Sequence, residues 1–84
     1  MKDQPVDQRI LQILSQLTVL QPAQIKPADR LREDLGLDSV SSMELLSMLA
    51  EEFDLDIEPE EAIRVTTVAG TIEMAEQHLR ARAS

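Results

Sequence analysis

Apolar residues recur at helical spacing along nearly the whole chain. Val6, Ile10, Ile13, Leu14 and Leu17 fall at i, i+4, i+7, i+8 and i+11, one stripe of an amphipathic helix. Pro5 or Asp7 suits its start. Pro22 and Pro27 then bracket a segment that no regular helix can cross. Leu31 and Leu35 are placed to pin this loop to a core, and Gly36 stands just before the next helix. Asp38 is a favoured N-cap with Ser39 as the first helical residue, and this second helix ends near Phe53–Asp54. Pro59 opens a short third helix over 59–64, with Glu60 and Glu61 in its first turn, where the dipole favours acids. Thr66 or Thr67 caps a last helix whose stripe is Val68, Ile72, Ala75 and Leu79. Gly70 weakens it locally, while Arg80 and Arg82 suit its final turns. No alternating run is bounded by hairpin turns. The pattern predicts an all-α four-helix bundle, three longer helices and one short third helix. Residues 1–84 form a single domain, with 1–4 and 82–84 frayed.

Size and composition narrow the chemistry. A chain of 84 residues holds one small core. It has no cysteine, so disulfides, thiolate metal sites and a cysteine nucleophile are excluded. One histidine and two glycines leave little for a serine–histidine relay, a His-rich metal site or a glycine-rich phosphate loop. The formal charge is −8, and its placement is uneven. Residues 1–32 carry three acids and five bases, residues 33–63 eleven acids and no Lys or Arg, and residues 64–84 two acids and three bases. Leu45, Leu46, Leu49, Phe53, Leu55 and Ile57 interrupt the acidic block, so it reads as a folded acidic face that steers basic partners. Nucleic acid is a poor partner for it. No apolar run approaches the roughly 20 residues of a membrane span, and MKDQPVDQ holds no apolar signal core. A cytoplasmic protein without membrane insertion is expected. Both ends read as complete, which predicts a free-standing protein.

The second helix carries two faces. At about 100° per residue, Ser42, Leu45, Leu46, Leu49 and Phe53 form the core stripe. Val40, Met43, Glu44, Ser47, Met48 and Glu51 form the opposite face. Three apolar residues beside two carboxylates on a solvent-facing surface read as a docking patch: anchors for burial, acids for orientation. The competing reading is ordinary surface. Ser39 can likewise be only a helix-start residue, or it can carry or contact a phosphate that the helix amides and dipole hold. The dipole matters there, because Asp38 and Glu44 repel a phosphate.

Over residues 33–54 the order Asp34-Leu35-Gly36-Leu37-Asp38-Ser39-Val40, Glu44-Leu45 and Glu51-Glu52-Phe53 resembles acyl carrier proteins of the phosphopantetheine-attachment superfamily. The likeness continues through Ile57, Glu60-Glu61-Ala62 and Val65-Thr66-Thr67-Val68, spanning residues 6–80. It implies that Ser39 Oγ is the attachment point of 4′-phosphopantetheine, taken from coenzyme A by a separate phosphopantetheinyl transferase, with Asp38 as the helix cap beside it. The chain is then a carrier and not an enzyme. It presents acyl thioesters to acyl-loading, ketosynthase-type or acyltransferase enzymes with basic docking patches, as a monomer. The docking face becomes Val40, Met43, Glu44, Ser47 and Glu51, with Glu60 and Glu61 on the third helix. Leu49, Phe53, Ile57, Ala62, Val65 and Ala75 become the candidate acyl-chain lining. A sheltered eight-carbon chain gains roughly 4–5 kcal/mol at most. Each of these six is equally a plain core residue.

The family usually has Asp-Ser-Leu at the site and often an acid two residues after the serine. Here Val40 and Ser41 stand in those places, which points to a specialised pathway over a housekeeping fatty-acid one. Gly36-Leu37-Asp38-Ser39 resembles acyl carriers more than peptidyl carriers. Fatty-acid, polyketide and specialised lipid pathways all remain open, as do aminoacyl, D-alanyl and peptidyl carriers. A more remote alternative is a cofactor-free acidic interaction module. A calcium loop starting at Asp54 is excluded, because its sixth and twelfth positions are Pro59 and Val65. No metal site is expected. His78, near a helix end, reads as a surface residue and not a catalytic base.

Overall fold

A computed structural model describes residues 5–83, with side chains through residue 81. Of the ends expected to fray, 1–4 and 84 and the side chain of Arg82 fall outside those described, while the backbone of 82 and 83 continues the last helix instead of fraying, because it extends the hydrogen-bonded turns of that helix. Four α-helices follow in order: α1 Val6–Leu17, α2 Ser39–Phe53, α3 Pro59–Arg64 and α4 Val68–Ala83, with a single 3-10 turn at Pro22–Gln24. All four helices sit where the sequence places them, and no strand is present among the described residues.

Each boundary has a local cause. Asp38 is the N-cap of α2, its carboxylate accepting from Ser41 N–H at 2.9 Å. Asp54 ends α2 in the left-handed region, with φ 55°. Pro59 occupies the first turn of α3, where its missing N–H costs nothing. Thr67 serves α4, its Oγ1 accepting from Gly70 N–H at 3.0 Å.

α1 packs on both α2 and α4. The core joins Ile10, Ile13 and Leu14 of α1 with Leu45, Leu49 and Phe53 of α2 and Val68, Met74 and Ala75 of α4. The 18–38 loop adds four buried apolar residues to it, Ile25, Leu31, Leu35 and Leu37. Leu31 and Leu35 pin the loop as expected; Ile25 and Leu37 add to them. Thr71, off the expected stripe of α4, is also buried, its hydroxyl donating to Thr67 O at 3.0 Å.

The same loop completes the start of α4. A helix leaves its first N–H groups without internal partners. Here Val68 N donates to Asp29 O at 3.0 Å and Ala69 N to Pro27 O at 2.9 Å. Leu31 N returns a bond to Thr66 O at 2.9 Å, beside an isolated bridge between Arg30 and Thr67. The long connection before α2 is thereby stitched to the last helix.

Two placements on α2 differ from the sequence reading. Ser42, assigned to the core stripe, is exposed. It lies in the first turn, ahead of Leu45, the first buried residue of the helix. Met48, assigned to the outer face, is half-buried and packs against the core. It stands at the flank of the stripe, and its flexible thioether chain folds inward.

Candidate functional site

The loop leading to α2 is a tight, closed structure. Asp34 N and Leu35 N both donate to Arg30 O, at 3.0 and 3.1 Å, and Leu37 N donates to Leu31 O at 2.9 Å. Asp34 Oδ2 accepts from Arg30 N at 2.7 Å and from its Nε at 3.2 Å. These bonds, the backbone one first, hold the Asp34 carboxyl below the ordinary aspartate range. Between the buried Leu35 and Leu37, Gly36 adopts φ 74°, a conformation that glycine enters without a Cβ penalty. The alternation of buried leucines and exposed residues delivers the chain to Asp38 with Ser39 facing outward.

Gly36, Asp38, Ser39 and Val40 are all exposed. No hydrogen bond ties the Ser39 hydroxyl to another described residue. Its neighbour Asp38 is occupied: the Ser41 amide holds its carboxyl below the usual range, and the Ser41 hydroxyl adds to this. A free hydroxyl with open space around it fits a pendant group on Oγ, and the helix start supplies a positive dipole end for a phosphate.

Down the outer face of α2, Val40 and Met43 are 69% and 67% exposed, beside exposed Glu44, Ser47 and Glu51. Glu60 of α3 is exposed as well. Glu61 differs: it is half-buried, and its Oε1 lies 2.7 Å from His78 Nε2 on α4. Ile63, which the sequence reading passed over, is 78% exposed on α3. Its signal was available, as an apolar residue one step off the inward-facing Ala62. Leu49, Phe53, Ile57 and Ala75 are buried in the common core, with Ala62 and Val65 packed against it. No group of three or more His, Cys, Asp or Glu able to hold a metal occurs among the described residues. No helix there is long and apolar enough to cross a membrane.

A small helical bundle that offers an unengaged serine hydroxyl at the first position of a helix, flanked by apolar and acidic side chains, has the build of a covalent carrier protein. The sequence profile described as "Phosphopantetheine attachment site" matches residues 8–75. The chain belongs to that family, and membership implies covalently attached 4′-phosphopantetheine. Two solved structures are similar in fold and sequence. The acyl carrier protein from Enterococcus faecalis superposes with TM-score 0.76 at 27% identity, over 87% of this chain and 92% of that one. The acyl carrier protein from Thermotoga maritima gives TM-score 0.75 at 25% identity, over 87% and 85%. The resemblance read from residues 33–68 is therefore correct at the level of family, fold and cofactor.

Proposed function

We propose that this chain carries acyl intermediates as thioesters on a 4′-phosphopantetheine arm attached to Ser39. It presents them to enzymes of fatty-acid, polyketide or specialised lipid synthesis. The observation that carries the reading is the exposed, unpartnered Ser39 hydroxyl at the first turn of α2, inside the region of family match. The similarity to two acyl carrier proteins favours an acyl cargo over an aminoacyl or peptidyl one.

The chain's own residues have three tasks. Ser39 offers its Oγ to a phosphopantetheinyl transferase, while Asp38 fixes the helix start without consuming that hydroxyl. Val40, Met43, Glu44, Ser47, Glu51 and Glu60 meet partner surfaces that pair basic side chains with apolar sockets. Leu49, Phe53, Ile57, Ala62, Val65 and Ala75 line the interior that shelters an aliphatic chain. When bound, the arm supplies the thiol that this cysteine-free chain lacks. In this reading the protein catalyses no step itself.

The test is intact mass after incubation with coenzyme A, magnesium and a broad-specificity phosphopantetheinyl transferase. The wild-type chain gains one phosphopantetheine; Ser39→Ala stays folded, because the cap bond runs from Asp38 to Ser41, and gains none. Loading of the alanine variant overturns the assignment.

A further inference from the structure

α3 is the least anchored helix of the bundle. It has six residues, none of them buried. A helix that short does not hold its shape in water, since isolated helices below about 12–15 residues are marginal. Two apolar groups hold it, the half-buried Ala62 and, at its C-cap, Val65. A polar contact ties it to α4, the 2.7 Å approach of His78 Nε2 to Glu61 Oε1. A carboxylate only accepts, so Nε2 bears the proton, whether the ring is neutral or charged. The pair is partly shielded, with 25% and 38% side-chain exposure, which strengthens it over a surface contact.

We infer that His78 and Glu61 form a latch that holds α3 against α4 and so closes the interior bounded by α2, α3 and α4. This rests on the acyl-carrier reading for its purpose, since the closed interior is where the cargo lies. Glu58 at the N-cap, and Glu60 and Arg64 within α3, are exposed, whereas Glu61 is half-buried against His78. Opening the latch swings out the one helix that has no buried residue, and leaves the α1–α2–α4 core intact.

Hydrogen exchange of the unmodified protein tests the latch directly. In His78→Ala, amides of α3 such as Ala62, which donates to Glu58 O, exchange about threefold to tenfold faster, the range that one lost hydrogen bond produces. Amides of α1 stay as protected as before, showing the fold intact. His78→Gln, which keeps a donor of similar reach, restores the protection. Unchanged α3 exchange in His78→Ala, or no rescue by glutamine, overturns the proposal. The second arm uses the octanoyl-loaded protein and hydroxylamine. The thioester of His78→Ala is cleaved several-fold faster than that of wild type, and equal rates overturn the role in closure. A chain that refuses the octanoyl-phosphopantetheine group defeats the carrier reading alone, because the exchange result still decides the latch.

Discussion

The guanidinium of Arg9 lies over the Phe53 ring, 4.9 Å from its centroid, and a terminal nitrogen of the same group pairs with Glu52. One side chain of α1 thus covers the last buried residue of α2 and neutralises the acid beside it. Arg9→Ala loses both contacts, about 1 kcal/mol together with the ion pair discounted for its exposure. For a domain this small that lowers Tm by about 4–8 °C. Thermal unfolding followed by circular dichroism reads it, and Arg9→Lys, a poorer partner for the ring, falls between. A Tm for Arg9→Ala equal to wild type removes the brace from the account.

Gly36 illustrates a cost of backbone alone. A Cβ built on it meets nothing within 4 Å, yet its φ is +74°. Gly36→Ala therefore destabilises by about 1–2 kcal/mol through conformation and not through clash. Gly36→Asn, better tolerated in that region, recovers part of it. Chemical denaturation of the three proteins orders them Gly, Asn, Ala; an alanine variant as stable as wild type contradicts the strained turn.

Acid weakens the start of α2. The Asp38 carboxyl titrates below its ordinary range because the Ser41 amide donates to it. A depressed folded pKa gives stability that is complete above the unfolded value of about 3.9 and is lost as pH falls through the folded one. Asp34 acts in the same direction through the Arg30 amide. Stability should decline below about pH 4, and Asp38→Asn, which still caps but does not titrate, should show a shallower decline. Parallel pH–stability curves for the two proteins count against this origin.

Docking should depend on salt. Glu44 is exposed on the outer face of α2. Glu44→Lys slows loading by a phosphopantetheinyl transferase, and the defect shrinks as salt rises from low to about 0.5 M, where exposed charges are screened. A defect of the same size at every ionic strength points to a shape effect instead of steering.

What the sequence disclosed and withheld follows from the range of each interaction. The bounds of α2 and α3 rest on Asp38, Phe53 and Pro59, whose effects reach three or four residues, so they could be read directly. Burial of Ile25 and Leu37 could not, because loop residues enter a core without periodicity. Helical phase alone misplaced Ser42 and Met48, since it carries no information about where along its length a helix is covered. The family was legible through the ordered set of neighbours around Ser39 and not through the type of that serine alone. Glu61 was legible as an acid in a first turn; its contact with His78, seventeen residues away, depends on how two helices are juxtaposed.

The carbonyls of Pro27 and Asp29 serve as the missing first-turn acceptors of α4. A loop so used behaves as part of the helix it serves, and its length is fixed by that duty. Lengthening the chain between 27 and 31 should uncouple the final helix and tilt the approach to Ser39 at once. Inserted residues are better accommodated near Val19, 97% exposed, where the chain has no such obligation. An affinity tag or reporter belongs at that bend, and a graft that replaces the 27–31 segment with a relative's must bring the relative's last helix with it.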